Sequence, residues 1–130
     1  MSPARIVRLA LAYWAGVFAF GFALGTARVL LVAPAIGAIA AVLIEVPLML
    51  AASWWLARRL LADCGPTAGE AAAIGALAFA LLMASEALLA RALGQRPGEW
   101  LAAMATVPGA IGLAGQLGFA AIPTLARRTG

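Results

Sequence analysis

The sequence contains no histidine and no lysine, one cysteine, and few charges of either sign: nine arginines against five acidic residues. Without histidine, haem ligation by imidazole and the commonest zinc sites are excluded, as is any nucleophile that relies on a histidine base. A lone Cys64 excludes a disulfide within the chain and a site built from several thiolates. Only 11% of the residues are charged, whereas soluble domains keep about a quarter charged, so water is the wrong solvent for this chain.

What is present in quantity is apolar: 65% of the residues, with a mean hydropathy of +1.04. The apolar residues form four stretches of roughly 20 residues or more, the length that crosses about 30 Å of hydrocarbon. The expectation is an all-α polytopic membrane protein, a single domain over residues 1–130 with four transmembrane helices in an antiparallel bundle. The lipid bilayer is its first partner. The formal charge of +4 does not point to nucleic acid, because the arginines stand in ones and twos at the ends of the apolar stretches, where they anchor and orient helices. Arginine to the exclusion of lysine, in a chain rich in Ala, Leu and Gly, reads as codon bias in a high-GC bacterium.

Punctuation places the helices at about 6–31, 35–61, 68–93 and 100–126. Ser2-Pro3 starts the first, and a tight hairpin is expected at Ala33-Pro34. Trp54-Trp55 and Arg58-Arg59 mark an interface near the end of the second helix. Asp63-Cys64-Gly65-Pro66 breaks the chain, and Thr67-Ala68-Gly69-Glu70 has the form of a capping box that opens the third helix. Gly94 to Glu99 forms the third loop. The first stretch, ending near Ala23-Leu24-Gly25, resembles a signal peptide, but its apolar run exceeds a typical signal core and is expected to remain in place. Arg5, Arg8, Arg58, Arg59, Arg127 and Arg128 fall on one side against Arg28, Arg91 and Arg96 on the other, which predicts cytoplasmic termini in a bacterial inner membrane.

An ionisable group inside hydrocarbon costs at least about 2.5 kcal/mol, so the intramembrane charges are the most informative residues. Glu45 is expected near mid-membrane, Glu86 in the outer third of the third helix, and Arg28 near the outer end of the first. Helical periodicity puts Gly21, Gly25 and Arg28 on one stripe, Ala38, Ala41, Glu45 and Ala52 on a second, Gly75, Phe79, Glu86 and Ala90 on a third, and Ala105, Gly109, Gly112 and Gln116 on a fourth. Small residues let helices approach closely, so these faces are expected to point into the bundle or an oligomer interface. Arg28, Glu45, Glu86 and Gln116 are the candidate path for a substrate or ion, in which a carboxylate takes up a proton or cation. The competing reading is a structural network in which Arg28 and Arg91 each neutralise a glutamate. On that reading Glu45 lies deeper than Arg28.

Pro47 predicts a kink beside Glu45. Gly109, Gly112, Gly115 and Gly118 recur at intervals of three after Pro108 and are expected to give the fourth helix a close-packed face. Tyr13, Trp14 and Trp100 read as interfacial anchors. No catalytic residue, metal ligand or cofactor site is read from the sequence.

The segment from Gly21 to Leu30 (Gly-Phe-Ala-Leu-Gly-Thr-Ala-Arg-Val-Leu), with Pro34, Gly37, Glu45-Val46-Pro47 and Gly112-Leu113-Ala114-Gly115-Gln116-Leu117, resembles a group of small bacterial four-helix membrane proteins with no assigned function. That resemblance spans most of the chain and implies a fold without an activity. Length and helix number are also similar to those of small multidrug exporters and dimeric fluoride channels. The exporters carry their glutamate in the first helix, where this chain has none. The channels carry a Thr-Thr-Phe-Ser-type segment in the third, where this chain has Leu81-Leu82-Met83-Ala84.

The sequence therefore leads to a homo-oligomeric carrier or channel for a small ion or solute, with an accessory or assembly subunit of a larger membrane complex as the alternative. An enzyme would need a nucleophile, metal or paired acid and base near an interface, and Asp63 with Glu70 does not make one.

Overall fold

The computed structural model describes residues 1–127, and Arg128, one of the six arginines that predict the orientation, lies outside them. Among the described residues every regular element is helical: α1 (Pro3–Ala27), a π-helical turn (Arg28–Val32), α2 (Ala33–Ile36), α3 (Ala38–Leu61), α4 (Ala68–Ala92), α5 (Pro97–Ala103) and α6 (Val107–Ala126). Four helices are long and apolar enough to span a membrane: Pro3–Ile36, Ala38–Leu61, Ala68–Ala92 and Val107–Ala126.

The first hairpin lies three residues later than its sequence expectation. Pro34 does not turn the chain. In the π turn the Ala33 amide bonds back to the Arg28 carbonyl, one residue further than in an α-helix, and Pro34 then falls within the first two positions of α2, where a missing amide hydrogen costs little. The helix consequently runs on to Ile36. The reversal falls at Gly37, whose φ of 91° suits a residue without Cβ. The second span starts at Ala38 rather than Ala35. At 34 residues the first span is ~51 Å long, so it tilts or projects beyond a hydrocarbon core of ~30 Å.

The third span begins as expected. Glu70 N donates to Thr67 Oγ1 at 3.1 Å and Thr67 N to Glu70 Oε1 at 2.9 Å, which completes the capping box. Gly94, with φ 90°, ends it. The fourth span is broken where one helix from Trp100 was expected: α5 stops at Ala103 and α6 begins at Val107. Pro108 is the cause, since a proline at the second position of α6 has no amide to continue the preceding turn. Thr106 caps the new start, accepting from Gly109 N at 3.1 Å and donating to the Ala103 carbonyl at 2.6 Å. Ala105 thus lies in the break and not on a helical stripe.

The packed pairs are α1 with α3, α4 with α6, α1 with α4 and α3 with α6. Each hairpin is antiparallel, and the hairpins meet through helices that run in the same direction. Glycines set the closest approaches. A Cβ at Gly75 would run into the Ala120 carbonyl, so α4 and α6 could not lie this close with any larger residue there. Gly16, Gly21 and Gly25 on α1 receive Leu56, Met49 and Glu45 of α3, while Gly115 and Gly118 of α6 receive Val46 and Leu50. Both glycine stripes are filled by one helix, α3.

The core gathers Tyr13, Val17, Ala57, Ala78, Leu82, Phe119, Ile122 and Ala126. Tyr13 is therefore not an interfacial anchor. It is 1% exposed, its ring stacks on Phe119 with centroids 4.5 Å apart, and its hydroxyl donates to the Phe119 carbonyl at 2.6 Å. That carbonyl is available because the residue four positions on is Pro123, which has no amide hydrogen to donate. Tyr13 supplies the bond the helix cannot make for itself. Trp14 also packs on this core, against Phe18, and its buried Nε1 finds no acceptor among the described residues.

Tyr13→Phe is expected to destabilise the bundle by about 1–2 kcal/mol, because it leaves a buried carbonyl without a donor. In a Pro123→Ala background the new backbone amide satisfies Phe119, and the same substitution should cost a few tenths of that. Reversible unfolding of the four proteins in detergent measures the cycle, and equal costs in both backgrounds would count against the assignment.

Candidate functional site: a polar layer across four helices

The corrected hairpin explains how the polar residues meet. Arg28 lies nine residues before Gly37 and Glu45 eight after it, so at 1.5 Å per residue both stand ~12–14 Å from the turn. A turn at Pro34 would have put Glu45 well below Arg28, which is why the sequence suggested different depths. In the structure Arg28 Nε donates to Glu45 Oε2 in an ion pair. Gly25 lies directly against the pair: a Cβ there would stand 3.7 Å from Arg28 Nη2 and 3.9 Å from Glu45 Oε1, in ordinary contact with both. The pair is not sealed: the Arg28 side chain is 34% exposed and that of Glu45 18%.

The second hairpin repeats the arrangement with a neutral partner. Glu86 lies eight residues before Gly94, and Gln116 nine residues into α6 from Val107. Gln116 Nε2 donates to Glu86 Oε2 at 2.5 Å. Arg91 does not neutralise Glu86. Five residues at 100° each carry it about 140° around α4, to an exposed position on another face. Glu86 also lies close enough to the Arg28–Glu45 pair to interact electrostatically with both charges. One polar layer thus takes a residue from each span, all at a similar distance from the hairpin ends.

Within this layer Arg28 contributes one positive charge, Glu45 and Glu86 one negative charge each when ionised, and Gln116 none. With both carboxylates ionised the sum is −1, one cation short of neutrality in a region where uncompensated charge is costly. A proton or a small cation at Glu86 would close that gap.

The glycines near the layer have separate roles. Gly115 packs on Val46, one residue from Glu45, and Gly21 on Met49. Gly109 belongs to the Thr106 cap, where a Cβ would strike the Ala103 carbonyl, and Gly112 has open space beside it. Among the described residues no three acidic or cysteine side chains converge as a metal site. The sequence reading missed the Glu86–Gln116 bond, although both residues had been placed on inward stripes. The missing signal was the break at Thr106, which fixes the depth of Gln116.

At the opposite end, Trp54 and Trp55 lie beneath the guanidinium groups of Arg58 and Arg59 at 5.9 and 5.3 Å. Arg58 Nη1 also donates to the Ala126 carbonyl at 3.1 Å, and Arg5 Nη2 to Cys64 Sγ at 3.4 Å. The start of α1, the α3–α4 loop and the end of α6 therefore form one arginine-rich end.

Comparison with protein-family models, with curated proteins and with solved structures gave no match to this chain.

Proposed function

We propose that the chain is a polytopic protein of the bacterial inner membrane that works as a homo-oligomeric carrier or channel for a small ion or solute, through the layer of Arg28, Glu45, Glu86 and Gln116. The observation that supports this reading is the charge of the layer. Its ion pair is already internally neutral, and a second carboxylate beside it has only an amide for a partner. A purely structural network would more economically close its charges. The partial exposure of Arg28 gives the layer access to something outside the monomer, and a second copy of the chain supplies it. Glu86 is the residue that exchanges the proton or cation, while Glu45 and Arg28 hold the layer together.

An accessory or assembly subunit is the second reading: Val29, Leu30 and Leu31, next to Arg28, are 59%, 67% and 71% exposed, apolar surface around the layer that either lipid or the helices of a larger partner would cover. Reconstitution separates the two. The purified chain alone in liposomes is expected to form a homo-oligomer and pass a small ion or solute. A consistently co-purifying larger protein, with no flux from the isolated chain, rejects transport.

Orientation follows from the arginine-rich end, which belongs on the cytoplasmic side. Reporters fused to either terminus are expected to register as cytoplasmic, and a periplasmic signal from the C-terminal fusion overturns the arrangement.

A further inference from the structure

A groove of about 590 Å³ opens at the arginine-rich end, lined by Arg5, Arg8, Leu9, Leu60, Asp63 and Cys64. It lies between the first turns of α1 and the end of α3 with its following loop. Arg5 and Arg8 stand three residues apart, so both project on one side of α1. Neither forms an ion pair among the described residues, and neither does Asp63. Arg5 spends one donor on Cys64 Sγ, a weak acceptor, and keeps its remaining N–H groups. The other acidic group at this end, Glu70, is engaged by Thr67 and by the Met1 amine at 2.8 Å. Leu9 and Leu60, both half-buried, give the groove an apolar wall.

Two cations, one carboxylate and an apolar wall stand together just beyond Trp54, Trp55, Arg58 and Arg59 toward the C-terminal end of α3, the headgroup side of an aromatic belt, where lipid phosphates lie. We propose that this groove seats the headgroup of a phospholipid carrying a primary ammonium, with its phosphodiester on Arg5 and Arg8, its ammonium on Asp63 and the start of an acyl chain on Leu9 and Leu60. Asp63 sets the selectivity. Phosphatidylglycerol would set an uncharged glycerol against it, which offers hydroxyl donors but no opposite charge, and a quaternary ammonium has no N–H to donate to its carboxylate. This inference is independent of transport.

The full-length protein in detergent is incubated with equal amounts of phosphatidylethanolamine, phosphatidylglycerol and phosphatidylcholine of the same acyl chains, and retained lipid is counted by native mass spectrometry. Phosphatidylethanolamine is expected to be retained ahead of the other two. Arg8→Gln lowers retention of all three about fivefold, as loss of one interfacial cation should, while Arg8→Lys keeps most of it. Asp63→Asn lowers phosphatidylethanolamine alone, about threefold, and leaves phosphatidylglycerol unchanged or raised. Neither side chain makes a hydrogen bond or ion pair within the described fold, so both variants keep their helical circular dichroism. Equal retention of the three lipids, phosphatidylglycerol ahead of phosphatidylethanolamine, an unchanged order in Asp63→Asn, or an acidic protein segment that occupies the groove and excludes every lipid would each overturn the assignment.

Discussion

Arg28→Ala is expected to destabilise the folded bundle by about 3 kcal/mol, and adding Glu45→Gln should recover most of the loss. Removing one member of a desolvated ion pair costs more than the pair itself contributes, because the survivor keeps its charge without a partner. Glu45 is the more enclosed of the two, 18% exposed against 34% for Arg28, and its short side chain cannot reach an interface from eight residues below the turn. Arginine can, since its long stem lets the guanidinium rise toward water. Glu45→Gln alone is therefore expected to cost less than Arg28→Ala alone, an asymmetry a simple count of lost contacts does not give. Unfolding of the three variants in detergent measures it. A double variant as unstable as Arg28→Ala would mean that Arg28 is held by something other than Glu45.

The span number, the capping box at Thr67 and the small-residue faces of α1 and α6 were legible in the sequence because each rests on composition or on local spacing. Depth was not. Proline has two meanings in a helix, and local spacing does not tell them apart at Pro34 or at Pro108. Pro34 suggests a turn, but a π turn just before it absorbs the missing hydrogen bond and Gly37 makes the reversal. The apolar run around Pro108 suggests a continuous helix, but Pro108 starts a new one behind the Thr106 cap. A shift of three residues in a hairpin changes the relative depth of its arms by six residues, or ~9 Å, enough to separate or join a charged pair. Tyr13 is deceptive for a related reason. Aromatic residues near a helix end commonly mark the interface, and only the juxtaposition with Pro123, 110 positions away, shows that its hydroxyl has a partner in the core.

Glu86→Gln is expected to leave the assembly intact and to reduce flux in reconstituted vesicles to the level of protein-free vesicles. The structural side of this expectation follows from Gln116. An amide at position 86 can still accept from Gln116 Nε2 through its own carbonyl oxygen, and it removes the unbalanced charge from the layer, so stability should be unchanged or slightly raised. The functional side follows from the same subtraction. With Arg28 and Glu45 paired, Glu86 is the group whose charge has no counter-ion in the layer, and its neutralisation leaves nothing for a proton or cation to exchange with. Glu86→Asp, which keeps the charge but shortens its reach, should retain part of the flux, whereas Gln116→Leu should retain it with altered affinity, because the amide positions the carboxylate without being charged itself. Measuring flux and oligomer mass on the same preparations separates the outcomes. Full flux in Glu86→Gln would remove the layer from the transport path, and collapse of the oligomer in that variant would make Glu86 a structural residue.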